Sequence, residues 1–563
     1  MKPAVAVITQ SRLPTSLESL RYKFDSVFDI GSAIWYRNTS DESSIAVNPL
    51  NKNNLIVVSH QDRFVNFLAD VIYYSMDGGE TWNQSNIILS RNQGPVINAA
   101  SNDYESASDP SVIFDNYGNA YMTSVSFDAV NDFNEAVVMI KSTDGGATWN
   151  TPISIQQDDG TEHYQDRQLL SFNPYQKGVL YCTWTDYQGI LGGRADESFV
   201  QTNSLINTLT KKRVMFKNKS IKKLADTPVY NNIKLQISKD GGNSWTGPVD
   251  IADFPPPTVP VGVDVSDYGP WNNTVWVLPN YNHRLILTTF VSSGGIANPG
   301  PNTPKGTVYC LTSDDEGQIW VKHIVADNIT LQPTFDLVTN RLVMGNSFLA
   351  VSAVNDENGY IYVAWADPRF SAPGKSGIAL SMSKDGGITW SNPVNPNPNH
   401  TDVSTFLPAI TVLKNNCVAI SYYDFRNFNN GANSWCDVWL GIYDENLKYK
   451  LLEYRLTDTS FDVLQAMVRS GFDSLFLGDY TGLTHYHNTV HASYCITNPP
   501  FDVPPVAYPP CGFVKDSRGN TPDDTVLFPN RQSVNYMQVH ITTEAIKENK
   551  DNWIRLKHKC HDK

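Results

Sequence analysis

The chain has 563 residues, 41% hydrophobic and 18% charged, with 13 Trp, 27 Tyr and 24 Phe. That suffices for several domains or one large all-β domain. A formal net charge of −14 argues against a nucleic-acid partner, because phosphate contacts need a basic footprint. No apolar run reaches the roughly 18 residues of a spanning helix, and Cys182, Cys310, Cys417, Cys436, Cys495, Cys511 and Cys560 include no CxxC pair, which predicts thiols and no disulfide framework.

In chain order, "MKPAVAVITQSRLP" carries too short an apolar patch for a secretory signal and no cleavage site, so the compartment stays open. Residues 1–40 are read as an N-terminal segment in which "FDSVFDIG" adds the outermost strand of the last repeat. From residue 41 a repeat dominates. "SMDGGETW", "STDGGATW", "SKDGGNSW", "SDDEGQIW" and "SKDGGITW" reduce to Ser-x-Asp-x-Gly-x-x-Trp, with Asp77, Asp144, Asp240, Asp315 and Asp385 followed by Trp82, Trp149, Trp245, Trp320 and Trp390. Strand-rich flanks make each phrase a hairpin turn. Its Asp and Ser accept backbone N–H groups, its glycines supply positive φ and its Trp buries a large ring against the sheet. These aspartates are expected to be architectural.

A strand, a polar turn and a second strand recur ahead of the phrases, as in "ESSIAVNPLNKNNLIVVSHQDRF", "SDPSVIFDNYGNAYMTSVSFD", "DRQLLSFNPYQKGVLYCTWTDY" and "NSFLAVSAVNDENGYIYVAWADPRF". Meander plus hairpin gives four antiparallel strands, the blade of a β-propeller. "FLPAITVLKNNCVAISYYDFR" with "IYDENLKY", and "LGDYTGLTHYHNTVHASYCIT" with "VNYMQVHIT", add two blades without the phrase. The count is seven over residues 41–544, with six as the alternative. Residues 190–230 form an insertion whose "TKKRVMFKNKSIKK" reads as a solvated loop or a contact for an acidic partner, and 545–563 form a tail.

The five phrases resemble the Asp-box of the bacterial neuraminidase (BNR) repeat, so the chain resembles a sialidase-like β-propeller. The resemblance implies Asp-boxes at the outer edge of one face and a site on the opposite face, at the mouth of the central channel. Loops between second and third strands would bring Asp62 and Arg63, Asp186, Asp367 and Arg369, and Asp424 and Arg426 to that mouth. Loops entering the innermost strands would bring Asp109, Asp166 and Arg167, and Asp479 and Tyr480. Arginine forks there suit an anionic ligand, whereas the bland alternative makes each Asp-x-Arg pair a local brace.

A sialidase, by resemblance, uses a tyrosine nucleophile activated by a glutamate, an aspartate acid/base and three arginines clamping a carboxylate. Tyr480 in "YTGL" fits the nucleophile, Asp62 or Asp109 the acid/base, and Arg167, Arg369 and Arg426 the clamp. Glu42 and Glu105 are the glutamates at a suitable blade position. The family's Phe-Arg-Ile-Pro signature is absent, and Arg37 in "IWYRNTSDE" does not replace it. His485, His487 and His491 could hold zinc or copper, but their turn falls on the Asp-box face with no carboxylate, so no metal or other cofactor is assigned. The reading favoured is recognition of a glycan or protein ligand at the mouth without turnover. The alternatives are a retaining exo-glycosidase with an altered clamp and a surface component of a larger particle. Oligomeric state is left open.

Overall fold

The computed structural model describes residues 8–12, 39–64, 67–89, 104, 106–127, 135–158, 163–188, 230–251, 254, 268–271, 273–293, 305–344, 350–469, 474–498 and 531–542. Apart from two single 3-10 turns, Pro368–Phe370 and Val463–Gln465, its regular structure is all β. Among the described residues no helix is long and apolar enough to cross a membrane.

The protein is a β-propeller of antiparallel, mostly four-stranded blades. The first sheet runs Thr39–Asn48, Asn51–Phe64, Phe67–Ser75 and Asn83–Leu89, from innermost to outermost strand. The second runs Ser106–Phe114, Ala120–Phe127, Glu135–Ser142 and Ile153–Asp158, and the third begins with His163–Phe172, Leu180–Gln188 and Tyr230–Ser238. In the fourth the inner strand is split into Tyr268–Trp271 and Trp276–Val277. That break hides the periodicity that marks the other meanders. The fifth keeps three strands, Ala350–Val354, Ile361–Ala366 and Ile378–Ser383, and an isolated Leu380–Val394 bridge stands in for its fourth. Thr405–Val412 opens the sixth sheet.

The seventh sheet, Gly482–Tyr486, Thr489–Asn498 and Arg531–His540, takes its edge strand from Ile8–Arg12. "FDSVFDIG", residue 105, the insertion at 190–230 and the C-terminal tail lie outside the described residues. Inner strands touch from the first sheet to the third and from the fifth to the seventh, which returns to the first, while the fourth sheet contacts the third and the fifth through other strand pairs. Among the described residues seven sheets share this meander form. An eighth, small sheet with a parallel Val343–Leu475 pairing has no counterpart in the repeat pattern.

Blades are buried on both faces, so their strands read as continuous apolar runs; Ala120–Phe127 and Thr405–Val412 are buried along their whole length. The core is a series of seams between neighbouring sheets. One seam packs Ile56, Val58 and Ile72 of the first sheet on Val112, Met122 and Ile140 of the second. Cys182, Cys310, Cys417, Cys436 and Cys495 are buried and in no disulfide, while Cys511 and Cys560 lie outside the described residues.

The five repeated phrases share one hydrogen-bond scheme. The Ser hydroxyl donates to the Asp carboxylate at 2.7–2.8 Å and accepts the N–H two residues beyond that Asp at 2.8–3.0 Å. The N–H four residues beyond the Asp donates to its carboxylate at 2.9 Å. Where "SDDEGQIW" lacks the first glycine, Glu316 takes its positive φ of 59°. Each turn also serves the preceding sheet. Trp82 meets Tyr536 of the seventh sheet edge-on at 5.1 Å, and Trp149 packs on the seam of the first and second sheets. A Cβ on Gly146 would lie 2.7 Å from Ile56, one sheet back. The phrase is thus a clasp between consecutive blades.

Candidate functional site at the channel mouth

The mouth opposite the clasps is shaped by one backbone device. In the first, second, third and sixth sheets the innermost strand slips register near its start, between Asp41 and Ser44, Ser108 and Ser111, Asp166 and Leu169, and Phe406 and Ala409. Each slip holds a non-glycine residue in the left-handed region: Glu42 (φ 49°), Asp109 (56°), Arg167 (53°) and Leu407 (51°). Such bulges re-aim side chains, and strain of this kind gathers at functional sites. Three of the four re-aimed residues are ionisable and lie on consecutive sheets.

The seventh sheet supplies Asp479 and Tyr480. Gly478 (φ 99°) precedes them, and a Cβ there would lie 2.7 Å from the Glu42 nitrogen, so its lack of a side chain lets this loop close against the first sheet. The Arg167 guanidinium lies 5.5 Å from the Tyr480 ring centroid. Tyr480 is half-buried, but its hydroxyl is out of reach of solvent and has no hydrogen-bond partner. Burial raises its pKa well above the usual value, and Asp109, Glu42 and Asp70 raise it further against the pull of Arg167. Asp109 is also raised, by burial first and then by Glu42 and Asp166. Arg167 is lowered by burial, opposed by Tyr480, Asp479, Asp109 and Asp166. Asp109 accepts the Ser108 hydroxyl at 3.1 Å, its carbonyl accepts the Gln168 amide, and Asp166 accepts the Tyr187 hydroxyl at 3.0 Å.

Behind this group lie more buried ionisable residues. His60 Nδ1 sits 3.0 Å from Asp41 and 3.4 Å from Glu42. Burial alone would lower the His60 pKa, but Asp41 and Glu42 carry it well above the usual value. Burial raises Asp70 to about 7. Glu135 accepts the Gln165 N–H at 3.1 Å and is raised well above the carboxylate range, by burial first and then by acidic neighbours including Asp166.

Asp109, Asp166, Arg167, Asp479 and Tyr480 therefore come together. The other sequence candidates are engaged elsewhere. Arg369 pairs with Asp367 at 2.8 Å, inside its own loop. Arg426 pairs with Asp424 at 2.7 Å and with Glu453 on the outer strand of its sheet (Lys450–Arg455) at 2.9 Å, and its guanidinium stacks 3.7 Å from the Trp439 ring. Both arginines brace loops, so the three-arginine clamp is not assembled from the described side chains. Asp186 faces His163 at 3.0 Å and Lys234 at 3.6 Å. The side chains of Asp62 and Arg63 lie outside the described residues, as does Arg37. His485 bonds Thr411 at 2.9 Å and His491 bonds Tyr536 at 2.8 Å. The grouping found among the described residues that could hold a metal is instead Asp41, Glu42 and His60.

Asp41, His60, Asp70 and Glu135 were not singled out from the sequence. Asp70 had a signal, an acid inside the apolar run "FLADVIYY". Asp41 and His60 had none, because their meeting depends on the bulge.

No protein-family model matches this chain, and no curated protein matches it. Among solved structures it is similar to a Dyadobacter fermentans protein of unknown function (16% identity, 77% of this chain and 95% of that one, TM-score 0.42). It is also similar to a Penicillium chrysogenum alpha-L-arabinanase (12% identity, 90% and 98%, TM-score 0.39). A third is the intramolecular trans-sialidase of Ruminococcus gnavus (15% identity, 83% and 93%, TM-score 0.37).

Proposed function

We propose that the chain is a sialidase-like Asp-box propeller, its seven meanders the blades of one ring, and that the mouth around Tyr480 binds a saccharide and cleaves its glycosidic bond. The observation that carries this reading is the Tyr480 hydroxyl, buried and unpartnered among Glu42, Asp70 and Asp109 with Arg167 against its ring. A buried hydroxyl without a partner costs about 1–3 kcal/mol. Left-handed residues such as Glu42, Asp109 and Arg167 cost of order 1–3 kcal/mol each.

In this reading Tyr480 Oη attacks the anomeric carbon while Glu42 takes its proton. Asp109, its pKa raised by burial and its acidic neighbours, gives its proton to the departing alcohol. Water then displaces the tyrosine, with Asp109 taking the water proton and Glu42 returning one to Tyr480. Arg167 orients the sugar. A second reading, binding without turnover, is favoured by the local pairing of Arg369 and Arg426, which weakens the case for a sialoside carboxylate clamp.

The test is release of chromophore from aryl glycosides, sialosides and neutral sugars alike, at pH 4–8, by the wild type, Tyr480→Phe and Asp109→Asn. Turnover that both variants lose supports the enzyme. No turnover, with glycan-array binding that Arg167→Ala abolishes, supports the binder. Neither turnover nor glycan binding defeats both.

A further inference from the structure

We infer that the floor of the mouth is a divalent-cation site built by Asp41, Glu42 and His60, with Asp70 beside it. In a regular strand Asp41 and Glu42 would point to opposite faces. The bulge after Asp41 and the left-handed backbone of Glu42 turn both carboxylates toward one imidazole. One donor atom from each of Asp41, Glu42 and His60 lies within 4.8 Å of the others. The His60 Nδ1 separations of 3.0 and 3.4 Å match the spacing of about 3.3 Å between donors on a tetrahedral ion with bonds near 2.0–2.1 Å.

Asp70 points independently to a ligand. It stands opposite His60 in the antiparallel register. It is fully buried, neither of its oxygens makes a well-aligned hydrogen bond although the Ser124 hydroxyl is close enough to lower its pKa, and it interacts electrostatically with His60, Glu42 and Asp41. The nearby Ser124 hydroxyl is directed at the backbone carbonyls of Ser108 and Val125. Three buried carboxylates face one imidazole, an excess of negative charge that a low-dielectric site tolerates only through protons or a cation. One nitrogen and two carboxylate donors suit Mn2+ or Zn2+ better than Ca2+, which prefers an all-oxygen shell.

The experiment is isothermal titration of chelator-treated full-length protein with Mn2+, Zn2+, Ca2+ and Mg2+, with the Mn2+ paramagnetic resonance spectrum as a second readout. Saturable binding of one equivalent of Mn2+ or Zn2+ is expected, weakened at least tenfold by Asp41→Asn and abolished by His60→Ala. Metal should raise the melting temperature of the wild type and not that of His60→Ala. If His60→Ala does not fold, Asp41→Asn decides alone. No one-to-one binding by the wild type, binding of Ca2+ only, or affinity kept within twofold in the folded variants would overturn the site. No saccharide enters the measurement, so its outcome is independent of the glycosidase reading.

Discussion

Gly78 and Gly79 separate two costs that usually arrive together. Both have left-handed backbones (φ 81° and 89°), so alanine at either meets a penalty of about 1–2 kcal/mol. At Gly78 the added Cβ meets nothing nearer than Asn53 Oδ1 at 3.5 Å, an ordinary contact. At Gly79 it would lie 2.7 Å from Tyr536 Cζ and 2.9 Å from Tyr536 Oη, on the neighbouring sheet. That ring cannot swing aside freely, because it packs on Trp82 and its hydroxyl bonds His491 at 2.8 Å. Overpacking of this kind costs about 1–3 kcal/mol. Gly78→Ala should therefore lose about 1–2 kcal/mol and Gly79→Ala about 2–5 kcal/mol. Urea unfolding followed by Trp fluorescence, with the slope checked for constancy, measures both. Equal losses in the two variants would refute the inter-blade clasp and leave the phrase a turn and nothing more.

Tyr480→Phe removes a hydroxyl with no hydrogen-bond partner, so stability should hold or rise by up to about 1–3 kcal/mol; a clear loss in the urea midpoint would mean the hydroxyl is bonded. Arg426→Met breaks a buried pair with Asp424 and Glu453 and should cost about 3–5 kcal/mol, leaving glycan affinity intact in the folded fraction. Arg167→Met, at a site also buried among Asp109, Asp166 and Asp479, should lower glycan affinity in the folded fraction, and array binding distinguishes the two variants. Because the Glu135 pKa is raised on folding, its stabilising contribution is complete below its unfolded value, near 4.3, and is lost as pH rises through the folded value. Glu135→Gln should therefore gain on the wild type as pH rises, seen in urea midpoints at pH 4, 6 and 8; a pH-independent difference would show that Glu135 is ionised in the fold.

The sequence by itself determined the repeat. Every residue of the Ser-x-Asp-x-Gly-x-x-Trp phrase acts on atoms within a few positions of itself, and hydrogen bonds of that range are written locally. Alternating strands and turns then specified antiparallel blades, and where local order failed, at the split inner strand before Trp276, the pattern failed with it. The edge strand Ile8–Arg12 and the small mixed sheet join segments far apart in the chain, so no local signal announced them. At the mouth the same division holds. The meeting of Asp109, Arg167 and Tyr480 was legible because position in the blade places their loops at one end of the sheets. Only the tertiary structure decided that Arg369 and Arg426 turn into their own loops while Asp41, Glu42, His60 and Asp70 gather on the floor. An Asp-x-Arg spacing fits either orientation. A one-residue bulge, invisible in composition, decides which way two neighbouring carboxylates point.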